Sequence, residues 1–450
     1  MTDTALIILA AGQGTRMNSD LPKVLHEIGN APMLVHAIKA GQSLDPERIV
    51  VVTGHGGEAV AAAARDWDDR AEIAVQTEQL GTGHAVAQAG PLLKSFDGDA
   101  VVLYGDTPFL SAETLEAMRD ARERFDVVFL GFEAADPAPY GRLVMDGPLL
   151  SRIVEAKDAT PEEAAITFSN SGVVAADAGI LFSLVSEIGN ANSKGEYYLT
   201  DIAALANARG LTVTAVACPE AETLGINSRD QLAAAEAAFQ ARARAAAQDD
   251  GVTLIAPETV FFSHDTAIGR DSVVEPNVVF GPEVTVESGV RIRAFSHLEG
   301  AHVSRGSTVG PFARLRPGAE LAEDVHIGNF VEVKNAIIDR GAKVNHLTYI
   351  GDADIGEATN IGAGTITCNY DGVMKHRTRI GARVFIGSDT MLVAPVSVGD
   401  DAMTASGSVI TEDVEPGALA LGRARQVTKP GMARKLMEVL RAKKAKLQGK

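Results

Sequence analysis

Aromatic side chains are scarce in this 450-residue chain: Phe, Tyr and Trp together make up 5% of it, with a single Trp. Whatever core it has must be built from aliphatic residues, drawn from a hydrophobic content of 46%. Cysteine is nearly missing too, and Cys218 and Cys368 alone make no disulfide framework. No apolar run reaches the ~18 residues of a membrane span, which argues against a membrane partner. No basic segment precedes the first apolar run, Leu6–Leu9, so a cytoplasmic protein without a signal peptide is expected. Positive charge is in deficit: 41 Lys and Arg against 59 Asp and Glu leave a formal net charge of −18. That argues against nucleic acid as the main partner and leaves phosphate binding to a few local cations and backbone amides. What the chain has in plenty is glycine, 44 residues, and more length than one core can use.

Residues 1–227 alternate buried-strand runs with helical patterns. Ile49–Val52, Val101–Tyr104 and Val127–Leu130 follow Leu6–Leu9, with helices expected over Pro32–Ala40 and Ala112–Glu123. This α/β alternation predicts a Rossmann-like, mostly parallel open sheet with its ligand site at the carboxyl ends of the strands. Residues 228–250 are rich in Ala and free of Pro, and Asp230–Gln248 is expected to be a connecting helix.

Residues 251–450 follow a different period. Apolar residues recur every six positions at Ile268, Val274, Phe280, Val286, Ile292 and Leu298. After a slip of one they continue from Val303 to Val333, and later from Ile380 to Val398. Neither a helix nor a plain strand repeats every six residues. Ten of the inward apolar residues are followed directly by Gly, as in Ile361-Gly362 and Ile386-Gly387. An apolar residue pointing inward and a small one at a turn is the hexapeptide β-helix pattern. It resembles the left-handed parallel β-helix of the hexapeptide acyltransferases, a narrow prism that accounts for the abundant glycine and the rare rings. The segment Cys368–Arg379 breaks the rhythm and is expected to loop out, and Met432–Leu447 is expected to form a basic helix or tail.

Two regions carry chemistry. In the first half, Leu9-Ala10-Ala11-Gly12-Gln13-Gly14-Thr15-Arg16-Met17 follows the first strand, with Pro22-Lys23 close behind. A glycine-rich turn lets backbone N–H groups approach a phosphate, while Arg16 and Lys23 supply charge. Asp106, in Tyr104-Gly105-Asp106 at a strand end, is a hard oxygen ligand suited to a divalent cation. In the second half, Arg316, Lys334, His346, Tyr349 and Asn360 fall at or near successive corners of neighbouring coils, where they can converge on one surface.

The first constellation resembles the sugar-nucleotidyltransferases. That resemblance implies that Leu9, Ala10, Ala11, Gly12, Gln76, Gly81, Thr82, Tyr104 and Gly105 surround a nucleotide. It also implies that Gly141, Glu155 and Asn170 bind a sugar, that Asp106 and Asn227 hold Mg²⁺, and that Lys23 and Arg16 act in catalysis. Both halves together resemble the bifunctional N-acetylglucosamine-1-phosphate uridylyltransferase / glucosamine-1-phosphate acetyltransferase family. By that resemblance Arg316, Lys334, Tyr349 and Asn360 bind an amino-sugar phosphate. Acetyl-CoA meets Ala363, Asn369, Tyr370, Ser388, Ser406 and Arg423, and His346 is the general base. Ser406 stands where Ala is familiar in some members, so only a backbone contact is carried over there. The implied partners are glucosamine-1-phosphate, N-acetylglucosamine-1-phosphate, UTP, acetyl-CoA and further copies of the chain in a homotrimer. Two other readings remain open at this point: a single-activity nucleotidyltransferase with a regulatory β-helix, and an inert assembly or exchange-factor subunit.

Overall fold

The computed structural model describes residues 2–448 apart from positions 13, 55, 139 and 193, so Gln13 of the glycine-rich turn lies outside the described residues. The chain divides into two compact units, residues 1–243 and 244–450.

The first unit is built on a twisted sheet. Its strands are β1 (Thr4–Ala10), β2 (Arg48–Gly54), β3 (Ala71–Gln76), β4 (Asp99–Tyr104), β5 (Val127–Glu133), β6 (Arg142–Asp146), β7 (Leu149–Val154), β8 (Phe168–Asp177) and β9 (Val213–Cys218). The order across the main path is β9-β5-β8-β4-β1-β2-β3, with the β6–β7 hairpin attached to β8. All pairings along the path are parallel except those of β8, which runs antiparallel to β4 and β5. β1 is buried along its whole length, as a continuous apolar run between two covered faces should be. Ala5, Ile7 and Leu9 face one core with Leu181 and Ile202. Leu6, Ile8 and Ala10 face the other with Leu34, Ile38 and Leu115. The expected helices appear as Met33–Gln42 and Ala112–Arg122, the latter capped by the Ser111 hydroxyl accepting from the Thr114 N–H. In β8 the register shifts between Asn170 and Val174, a bulge that turns Ser171 and Gly172 out of the ladder. The helix Arg229–Asp249 carries the chain from one unit into the next.

The second unit is a parallel β-helix. Short strands pair with the strand one coil on, and three ladders run its length. One carries Val274, Ile292, Val309, Ile327, Val344, Ile361 and Ile386 in register. The second carries Phe280, Leu298, Leu315, Val333 and Ile350. The third carries Ile268, Val286, Val303, Leu321, Ile338, Ile355, Ile380 and Val398. These are the residues of the six-position repeat, and all but Ile268, in an early coil, are buried. The coil step is 17 from Val344 to Ile361 but 25 from Ile361 to Ile386, because a loop leaves the prism there. Cys368 and Thr378–Arg379 remain in strands, so this loop is shorter than the sequence suggested and spans 369–377. Met432–Leu447 is helical, with no residue buried within the chain.

Leu315 is fully buried in the middle of its ladder, whereas Phe385 points outward and is 47% exposed. Leu315→Ala is expected to cost about 2–5 kcal/mol through lost burial and a residual cavity. Phe385→Ala is expected to stay within about 0.5 kcal/mol. Hydrogen exchange of the β-helix amides checks this without treating the two units as one transition.

Candidate functional site

The carboxyl ends of β1, β3 and β4 open into a cavity of about 540 Å³. Leu9, Ala10, Ala11, Gly12, Lys23, Gln76, Gly81, Thr82, Tyr104, Asp106, Gly141, Glu155 and Asn170 all line it. Gly105 sits behind the wall, its N–H donating to the Leu9 carbonyl at 3.0 Å. Arg16 is not among the lining residues; it lies exposed on the single turn Thr15–Met17.

Local geometry explains the glycines. At Gly14 (φ 60°) a Cβ would lie 2.5 Å from Lys23 Cβ, so the bare backbone there is what lets the lysine stem pass. Gly172 (φ 93°), in the β8 bulge, lies against the Tyr104 ring, where a Cβ would come within 2.8 Å. The loop after β3 is held shut by Gln76 Nε2 donating to the Gly81 carbonyl at 3.2 Å. Gln79 Nε2 donates to the Ala11 carbonyl at 2.6 Å.

Lys23 is nearly buried, and its ammonium donates to Asp106 Oδ2 and, at 2.8 Å, to Asn227 Oδ1. One carboxylate oxygen and one amide oxygen therefore meet at a single cation beside the cavity. That is the donor set a Mg²⁺ ion takes when substrate phosphates and water complete its shell, so the two residues fit such an ion. Asn227 reaches this point without lining the cavity. Farther in, burial raises the Glu155 carboxyl above its ordinary range, and the Thr200 hydroxyl, donating at 3.5 Å, only partly offsets it. Burial, and then the Asp106 charge, also raise the Tyr104 phenol, which stays a neutral donor. Glu196, Tyr198 and Thr200 complete the wall. No motif marks these three; their signal is the backbone of Tyr197, bonded to Leu80 and Gly83 of the loop after β3.

In the β-helix the second group of residues falls into two sets. Arg316 and Lys334 lie on successive rungs of one face, with Tyr349 on the next. Arg316 pairs with Glu332 at 2.8 Å, and Lys334 lies 4.0 Å from Asp352. Lys375, from the 369–377 loop, stands beside Lys334; its ammonium, and then burial, hold Lys334 below the ordinary lysine range. Burial raises the Asp352 carboxyl, but hydrogen bonds from Asn335 and Asn369 and the nearby Lys334 and Lys375 charges bring it below its usual value. Lys375 and Asp352 are the members of this cluster that the motifs did not single out.

The other set runs up one corner. Asn329 pairs with His346 across one coil, and the Gly364 N–H donates to the His346 carbonyl at 3.1 Å. Asp389 donates its N–H to the Ala363 carbonyl, and Gly407 donates to that of Ser388. Arg423 Nη1 then reaches the Ser406 carbonyl at 2.6 Å. His346, Ala363, Ser388, Ser406 and Arg423 thus form a single column. Tyr370 is exposed on the loop, its hydroxyl donating to Gly372 at 2.6 Å. Asn360 is not brought into either set: it sits on the adjoining ladder between Lys343 and Phe385.

Residues 6–171 match the family described as a MobA-like NTP transferase domain. The chain is 70% identical over 442 residues to the "Bifunctional protein GlmU" of Ruegeria sp. (strain TM1040), covering 98% of each. It is 72% identical over 441 residues to the protein of that name from Cereibacter sphaeroides, covering 98% of this chain and 97% of that one. A solved UDP-glucose pyrophosphorylase complexed with UDP-glucose is similar at a TM-score of 0.43 and 19% identity, over 54% of this chain and 100% of that one. With identity of this order along nearly its whole length, the chain belongs to the GlmU family of bifunctional proteins.

Proposed function

We propose that the protein makes UDP-N-acetylglucosamine, a cell-envelope precursor, in two steps, one in each unit. In the β-helix, acetyl passes from acetyl-CoA to the amine of glucosamine-1-phosphate. In the sheet unit, N-acetylglucosamine-1-phosphate takes uridylyl from UTP. The observation that carries the second step is the Lys23–Asp106–Asn227 cluster beside a sugar-nucleotide-sized cavity. Asp106 and Asn227 would hold Mg²⁺, which when bound would neutralise phosphate charge. The backbone at Ala10–Gly12 approaches the triphosphate, while Gly141, Glu155 and Asn170 take the sugar. A phosphate oxygen of the sugar phosphate attacks the α-phosphorus; that P–O bond forms as the bond to pyrophosphate breaks. Positioning and charge neutralisation account for the rate, and no covalent enzyme intermediate is needed.

For acetyl transfer, Arg316, Lys334 and Lys375 offer positive charge for the sugar's phosphate. His346, an exposed imidazole on the neighbouring corner, removes the proton from the amine as its nitrogen attacks the thioester carbon. The C–N bond forms, the C–S bond breaks and the CoA sulfur departs. The column from Ala363 to Arg423 is where the cofactor lies. No cysteine nucleophile is required, and burial raises the Cys368 thiol above its ordinary range, which opposes thiolate chemistry. Free cysteines and cytosolic substrates agree with a cytoplasmic enzyme.

A homotrimer fits the placement of the residues. Adjoining faces of a prism diverge at their shared corner, so Asn360 and the Arg316–Lys334 face of one chain are poorly placed to share a substrate. A neighbour related by a threefold axis can complete the site. An exposed apolar column, Phe295, Phe312, Phe330 and Leu347, offers such a neighbour a contact. Its rings stack at 4.9 and 5.2 Å.

Three outcomes are expected. Asp106→Asn should lower uridylyl transfer by about 10²–10³-fold with acetyl transfer unchanged, and a chelator should do the same reversibly on adding Mg²⁺. Separate assays of the two reactions decide it, and loss of both in a folded variant would overturn the two-site reading. His346→Ala should lose roughly 10²–10⁴-fold in acetyltransferase kcat and nothing in uridylyl transfer. Light scattering at micromolar concentration should give the mass of a trimer; a monomer would contradict the shared site.

A further inference from the structure

The imidazole of His346 is not left to find its own orientation. Its Nδ1 lies 2.8 Å from the side-chain oxygen of Asn329, the residue directly opposite on the preceding coil. An amide oxygen can only accept a hydrogen bond, so this contact calls for the ring hydrogen on Nδ1, which in the neutral ring leaves the lone pair on Nε2. The two backbones are tied as well. The Leu347 N–H donates to the Asn329 carbonyl at 3.1 Å, and the Thr348 N–H donates to the Phe330 carbonyl at 3.2 Å. Gly328 allows the coils to come this close: a Cβ there would lie 2.0 Å from the Asn345 carbonyl oxygen.

We infer that Asn329 is a positioning residue for acetyl transfer, holding His346 in the Nδ1–H tautomer with Nε2 aimed outward to take the proton of the substrate amine. The inference rests on the reading of His346 as the base. An uncharged partner matters here. Among the described residues no carboxylate lies within ion-pairing distance of the imidazole, whose only polar side-chain contact is Asn329. The charged groups on the elements around it are Lys343 on its own strand, His326 on the strand of Asn329, Glu332 beyond the corner and Asp389 two coils up the same corner, above Gly364. A carboxylate in place of the amide would favour the imidazolium, which cannot accept a proton. An amide accepts from Nδ1–H in both charge states, so it orients the ring without holding the proton on it.

The test compares Asn329→Ala, Asn329→Asp and His346→Ala in the full-length enzyme, with ¹⁵N NMR of the histidine ring. Asn329→Ala should lose about 10- to 100-fold in acetyltransferase kcat with uridylyl transfer unchanged, since misplacement by about 1 Å costs that order. The near-isosteric Asn329→Asp guards against simple misfolding. It should keep activity at high pH and move the acid limb of the kcat profile up by about one unit or more. The wild-type spectrum should report protonated Nδ1 and bare Nε2, and Asn329→Ala a mixture. Acetyl transfer within threefold of wild type in Asn329→Ala, or an Nε2–H tautomer in the wild type, overturns the inference. If His346→Ala keeps acetyl transfer, the base assignment fails and the positioning role with it; the ring spectrum tells that failure apart, because it reads the tautomer without any turnover.

Discussion

The width of the β-helix coil is the constraint on which the second unit depends. Each side is so short that a single inward residue fills it, and that residue must be aliphatic or small over most of the length, as Val309, Leu315 and Leu321 are. Because every coil must close over the same core, a position on one coil lies above its counterpart 17 or 18 residues earlier. Corner residues distant in sequence therefore become vertical neighbours through the coil repeat itself. Asn329, His346, Ala363, Ser388 and Ser406 form a column for that reason.

The sheet unit solves the same problem differently. Its site is assembled from strand ends and long loops, so each side chain needs its own local device. Gly14 clears a path for Lys23, the β8 bulge re-aims the backbone beside Tyr104, and Gln79 ties one loop to another. Rigid strands fix where β1 and β4 end; the loops supply the chemistry.

This difference decides what was legible in the sequence. The six-residue period exposed the β-helix and its inward rows, because burial writes them into every coil. The glycine-rich turn and Asp106 were legible as candidate lining of the cavity, because a phosphate or cation site at a strand end calls for those residue types. The contact of Asn329 with His346 was not, since one coil step is 17 and another 25, and the pairing depends on which applies. Glu196, Tyr198 and Thr200 were missed for another reason: they enter the cavity wall through backbone bonds from Tyr197 to a loop more than a hundred residues earlier, and such pairing leaves no pattern. Arg16, expected beside the phosphates, lies exposed, because motif spacing places a residue along the chain and not the direction of a long side chain.

The acidic balance of the chain fits the same scheme. With a net charge of −18, the molecule as a whole repels the anionic substrates proposed for it, so attraction has to be local. Three of the cations gathered there are already held: Lys23 by Asp106, Arg316 by Glu332, and Lys334 near Asp352. A bare buried cation would be costly, and a permanently satisfied one would ignore a phosphate. Pairing each with a carboxylate at the edge of an open surface avoids both. A phosphate bound as proposed would exchange one anionic partner for another, and the net gain would depend on how well its geometry replaces the carboxylate. On that proposal, charge would select for phosphate only at the places where the fold has set out such a pair.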